Sequence, residues 1–132
     1  MRPIFHLSLP VRDLDEAVAF YRDQIGSDIG RRTTEFADAL VFGAQVTLQN
    51  DPFSVTSPMP RTRHFGATIQ WDSWELIAAR FAGGPLIVEP PTISYEGEPM
   101  EQGKVMITDP SGNLIEVKAY RRPHEVLGHL VD

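Results

Sequence analysis

One pattern of residues occurs twice in this chain of 132 residues, about 58 residues apart, and that limits the folds open to it. In the first copy, Ile4 to Val11 (IFHLSLPV) alternates. Phe5, Leu7, Leu9 and Val11 point one way, and His6, Ser8 and Pro10 the other. Period two predicts a strand with one apolar face. Asp13 to Gly26 (DLDEAVAFYRDQIG) follows, with a D-x-x-E start, an apolar stripe through Leu14, Ala17, Val18, Tyr21 and Ile25, and a closing glycine. This predicts an amphipathic helix capped by Asp13 and ended at Gly26. Residues 29–34, 36–42 and 45–49 read as three short strands, the last two joined by a tight turn at Gly43.

The second copy opens with His64 to Trp71 (HFGATIQW), again alternating, with His64, Gly66, Thr68 and Gln70 on one face. Asp72 and Glu75 repeat the D-x-x-E start, and Gly83-Gly84 ends the second helix. Strands are predicted over 86–89, 104–108 and 113–120, with a polar, Pro-containing loop over 90–103 and a turn at Asp109-Pro-Ser-Gly112. Trp71 and Trp74, beside the second helix start, are read as packing at a subunit or repeat interface, and Tyr120 as packing. The expected organisation is a single domain over 1–132. It divides into a first repeat (1–50), a Pro-rich linker (51–62), a second repeat (63–120) and a tail (121–132) that carries His124 and His129. Neither copy buries its own sheet well. The expected fold is therefore α+β: two βαβββ repeats forming a curved mixed sheet, a half-barrel, around a cavity.

Composition removes several kinds of chemistry. There is no cysteine, so disulfides, thiolate nucleophiles and cysteine-held metals are excluded. Twelve basic against eighteen acidic residues give a formal net charge of −6, which repels a phosphate backbone, so no nucleic-acid partner is expected. The first residues carry no long apolar run, so no membrane partner is expected and a cytoplasmic location is the default reading.

His6 and His64 hold equivalent positions in the two repeats. The final strand offers Glu116 on the face of Lys118, and the last strand of the first repeat offers Gln49 on the face of Gln45 and Thr47. Two imidazoles and a carboxylate with open positions make a divalent-metal site. By alternation, Ser8, Thr68, Gln70 and Lys118 lie on or near the inner face. Glu101 and Gln102 lead from the polar loop into a strand, and loops over a metal often close on substrate. These six are the candidate substrate-binding residues; no general base is identifiable.

The segments FHLSLPVRDLDEAVAFYRDQIG, HFGATIQW and DPSGNLIEVKAY resemble the vicinal oxygen chelate superfamily, which includes glyoxalase I, bleomycin-binding proteins, fosfomycin-resistance transferases and extradiol dioxygenases. The resemblance covers nearly the whole chain, and D-P-x-G-x-x-x-E is its most specific piece. It implies a metal held by His6, His64 and Glu116, with Gln49 nearest to the fourth ligand of glyoxalase I. Gln49 is neutral where several isomerases of the superfamily carry Glu. The run Gly97 to Gln102 (GEPMEQ) and the closing EVKAY look most like a branch of predicted extradiol-type dioxygenases. The resemblance therefore implies a metal-dependent dioxygenase-like oxidoreductase acting on a small oxygen-bearing substrate. Fe or Mn is favoured, and Zn, Ni or Co would also suit the ligands. A glyoxalase I-like lyase or isomerase is the alternative, and a non-catalytic metal- or drug-binding module the third reading. A homodimer is expected, since open sheet edges need cover.

Overall fold

The computed structural model describes all residues, Met1–Asp132. The strands are β1 (His6–Val11), β2 (Asp28–Arg32), β3 (Phe36–Val41), β4 (Ala44–Asn50), β5 (His64–Thr68), β6 (Ile87–Ser94), β7 (Gln102–Thr108) and β8 (Leu114–Tyr120). The helices are α1 (Leu14–Ala19), continued by a π-helical stretch over Phe20–Ile25, α2 (Trp71–Phe81) and α3 (Pro123–Leu127). The fold is α+β with two βαβββ repeats, as expected. Each repeat builds one four-stranded mixed sheet, ordered β1-β4-β3-β2 and β5-β8-β7-β6. In each, the first strand runs parallel to the last and the other pairs are antiparallel. Two compact units result: Met1–Arg63 with Asp109–Asn113, and His64–Thr108 with Leu114–Asp132.

In the first unit, the apolar face of the sheet (Val11, Ala37, Ala39, Val41, Val46, Leu48) is buried and α1 lies on it. Asp13 caps the helix as expected, its Oδ1 accepting from the Glu16 amide at 2.8 Å. Glu16 does not complete a capping box; it pairs instead with Arg12 at 2.6 Å. The π-helical stretch buries Phe20 and Tyr21, whose rings meet edge to face at 4.9 Å. Gly26 ends it at φ 86°, a left-handed conformation that glycine adopts without strain.

The turn Asp109–Asn113 is held by several side-chain hydrogen bonds. The Asp109 carboxylate accepts from Tyr21 Oη, Asn113 Nδ2 and the amides of Ser111 and Asn113, all at 2.9 Å. Burial raises its pKa above the ordinary carboxylate value, against the opposing pull of those donors. The carboxylate is thus the hub of a packed turn. This accounts for the D-P-x-G-N wording without assigning the aspartate any chemistry.

In the second unit, α2 packs on β7 and β8 through Trp74, Ala78 and Phe81. Trp74 donates from Nε1 to the Val117 carbonyl at 3.1 Å. Gly103 makes room for its ring: a Cβ there would stand 2.6 Å from it. Trp71 meets Trp74 at 5.4 Å and is covered by the Arg121 guanidinium at 3.9 Å. Both tryptophans therefore pack inside this unit, which replaces the expected interface role.

Two local expectations are corrected. Asp72 is not a cap: α2 begins at Trp71, with Gln70 as its cap residue and no side-chain cap bond, so Asp72 sits in the first turn, where it complements the helix dipole. The prolines of 90–103 do not make that whole stretch a loop. β6 runs on to Ser94, carrying Pro90 and Pro91 on an edge strand with two register shifts, where a missing N–H costs little.

Candidate functional site

Each repeat turns one face of its sheet to the helix and leaves the other polar. Directly paired residues share a face, so the register identifies the members of the polar faces. In the first unit these are His6, Ser8 and Pro10 on β1, opposite Gln45, Thr47 and Gln49 on β4, and then Leu40, Asp38 and Phe36 on β3. In the second unit they are His64, Gly66 and Thr68 on β5, opposite Leu114, Glu116 and Lys118 on β8.

The second unit gathers four of the expected residues around a cavity of about 240 Å³, lined by His64, Thr68, Glu116 and Lys118 together with the β5 backbone. His64 Nε2 lies 3.8 Å from Glu116 Oε2, and Lys118 Nζ lies 3.9 Å from Glu116 Oε1. The histidine–glutamate separation exceeds a hydrogen bond. It falls within the ~4.2 Å that two donors on one ion can span at ~2.1 Å each. Their nitrogen and oxygen donors fit a divalent metal of the first transition row. Gly66 is what brings β5 so close to β8: a Cβ there would lie 1.7 Å from the Glu116 carbonyl oxygen.

His6 belongs to the first unit. Its Nδ1 is 3.1 Å from the Gln45 carbonyl, which can only accept, so Nδ1 is the donor of this pair and Nε2 is the ring nitrogen not engaged in it. A backbone carbonyl that fixes the tautomer is the usual support of a ligating imidazole. Gln49 Nε2 donates to Ser8 Oγ at 3.3 Å, which links two more of the expected residues. No group of three or more His, Asp or Glu side chains is gathered in a metal-holding geometry.

The remaining expected residues are placed differently. Gln70 is the cap residue of α2. Glu101 is turned to its own loop, accepting from the Gly97 amide at 3.1 Å and pairing with Arg121 Nε at 3.4 Å. Gln102 pairs with Tyr120, and both fall on the face of Lys118 and Glu116, since residues two apart on a strand point the same way. Tyr120 thus joins the polar face and is not a packing residue of the opposite one.

The first unit also carries a network that the repeat pattern did not reveal. Asp38, buried in β3, accepts from Arg31 Nε at 2.6 Å, Thr47 Oγ1 at 2.8 Å and Gln45 Nε2 at 3.4 Å. The Arg31 guanidinium holds its pKa below the ordinary carboxylate value, against burial and with help from Thr47 and Gln45. The signal available was one acid in the otherwise apolar strand FADALV. By register, Thr47 stands opposite Ser8 as Glu116 stands opposite Gly66, and Gln49 lies two residues further along the same face.

Comparison with known proteins follows the same architecture. The sequence profile of the Glyoxalase/Bleomycin resistance protein/Dioxygenase superfamily matches residues 4–117. Among solved structures, the chain is similar to a glyoxalase/bleomycin resistance protein/dioxygenase from Alicyclobacillus acidocaldarius, at 28% identity and a TM-score of 0.76, covering 95% of this chain and 96% of that one. It shares its fold with the fosfomycin resistance protein FosX of Listeria monocytogenes (17% identity, TM-score 0.71, 90% and 93% covered). The same holds for a lactoylglutathione lyase of Agrobacterium tumefaciens (24%, 0.63, 90% and 94%). No curated protein matches the sequence. No helix is long and apolar enough to cross a membrane. The paired mixed-sheet repeats and a profile match over most of its length make this chain a member of the glyoxalase/bleomycin resistance/dioxygenase superfamily.

Proposed function

We propose that this chain is a metal-dependent enzyme of the vicinal oxygen chelate type, a dioxygenase-like oxidoreductase acting on a small oxygen-bearing substrate. The observation that carries the reading is the His64–Glu116 pair at the cavity, 3.8 Å apart on adjacent parallel strands. His64, Glu116 and His6 are the proposed ligands, His6 through its Nε2, with the Gln49 carboxamide oxygen as the candidate fourth. A bound Fe or Mn ion would supply Lewis acidity, lowering the pKa of hydroxyls on a chelated substrate. The protein's own part is to orient: the Lys118 side chain and the Thr68 hydroxyl face the cavity from the row next to Glu116. Ser8, Gln70, Glu101 and Gln102 are proposed as more distant substrate contacts. The proposed working form is a cytoplasmic homodimer, which would cover the open strand edges.

The purified chain is expected to contain about one divalent metal per chain by elemental analysis, because two imidazoles and a carboxylate bind such ions tightly. His64→Ala, with unchanged circular dichroism, should lose it; metal content that survives the substitution would sink the ligand assignment. Oxygen consumption with catechol-like substrates in the presence of Fe(II) separates a dioxygenase from a lyase, which consumes none.

A further inference from the structure

Of the twelve basic side chains, only Lys104 and Lys118 are lysines; every other cation is arginine. The structure places these two directly opposite each other, Lys104 on β7 against Lys118 on β8. The row they form continues to Thr68 on β5 and Thr92 on β6, so four adjacent strands present Thr, Lys, Lys, Thr in line. The next row of the same face contains Gly66, Glu116 and Met106. Like charges directly across a strand pair destabilise a sheet. Here the repulsion is only partly relieved: Glu116 reaches Lys118 at 3.9 Å, and Lys104, half-buried, has no carboxylate partner. Thr68 and Lys118 line the cavity beside His64 and Glu116.

We propose that Lys104 and Lys118 hold an anionic oxygen group of the substrate, a carboxylate or a phosphoryl or phosphonyl group, beside the His64–Glu116 pair. This rests on the substrate cavity of the preceding section and adds the charge class of its occupant. Two ammonium groups directly opposite on neighbouring strands, with the Thr68 hydroxyl beside Lys118, supply hydrogen-bond donors to one anion, and the anion offsets the repulsion between the two cations; Thr92, at the far edge, already donates to the Pro90 carbonyl. Lysine suits such a place because its compact charge sits on a flexible stem that can follow the ligand, whereas an arginine fork demands a fixed planar partner. In a chain of net charge −6, a local cationic row is also what an anion needs to approach the cavity.

The small number of lysines makes the test direct. Reductive 13C-methylation of the full chain keeps the charge and labels only Lys104, Lys118 and the N-terminus. Malonate, inorganic phosphate and neutral malonamide are then titrated at constant ionic strength. Both lysine resonances are expected to move together along one saturable curve with an anion, and to stay still with malonamide. Tighter binding of malonate identifies a carboxylate, and of phosphate a phosphoryl-type group. Lys104→Gln should weaken the binding that Lys118 reports by about tenfold, as loss of a charge-assisted hydrogen bond does, and Lys104→Arg should restore most of it. No saturable shift with either anion, or unchanged binding in Lys104→Gln, overturns the proposal. Metal content measured on the same samples keeps the two readings apart. Anion binding lost while the metal stays defeats the lysine pair alone. A chain that never holds metal but still binds the anion defeats the metal reading alone.

Discussion

At the scale of single residues, the site depends on an atom that is missing. Gly66 has no Cβ, and that absence lets β5 lie against the Glu116 backbone, which sets the distance between His64 and Glu116. Gly66→Ala places a carbon 1.7 Å from a main-chain oxygen, where nothing can rotate away. We expect a loss of stability at the upper end of the ~1–3 kcal/mol that overpacking costs, read as a lower urea midpoint; an unchanged midpoint would show that the strands separate freely. That His6, His64 and Glu116 lie on polar strand faces was legible in the sequence, because alternation and the repeat put them there. Gly66 was seen only as one more member of a face. Its role depends on a parallel neighbour about 50 residues away, which no local pattern reveals.

At the scale of elements, α2 shows how one helix reports both its faces. Trp74 is buried and bonded to Val117, while Leu76, two residues on, is 70% exposed. Trp74→Phe should cost about 1 kcal/mol for the hydrogen bond alone, and Leu76→Ala should stay within ~0.5 kcal/mol of the parent. Thermal unfolding of the two variants checks the difference, and equal losses would mean that the helix sits on another face. The elements themselves were largely legible, since periods of two and of 3.6 separate strands from helices. The stretch 90–103 was not, because proline argues for a loop until the strand is known to lie at an edge, and edge position is a property of the sheet. The start of α2 was misplaced for a related reason: D-x-x-E names a cap only where the chain has not already entered the helix, and Trp71 enters it first.

At the scale of the whole molecule, acid stability should carry the mark of Asp38. Its folded pKa is lowered, chiefly by Arg31, so its contribution is complete above the ordinary carboxylate pKa and is lost as pH falls through the lower folded value. The stability gap between the parent and Asp38→Asn is therefore expected to shrink as pH drops below about 4, measured by urea unfolding across that range. A gap that stays constant would deny Asp38 its ionised partners. Asp109 works in the opposite sense: its raised pKa costs stability as pH climbs from the ordinary carboxylate range through the folded value. By itself the sequence determined the repeat, the α+β class, the absence of thiolate chemistry and the polar strand faces that carry His6, His64, Glu116 and Lys118, since these follow from periodicity and composition. Only the tertiary structure decided which residues stand opposite one another. Strand register pairs Thr47 with Ser8 and Glu116 with Gly66, and it brings the two lysines face to face. It is settled by how two sheets bury their apolar sides under two helices, across separations that local alternation does not span.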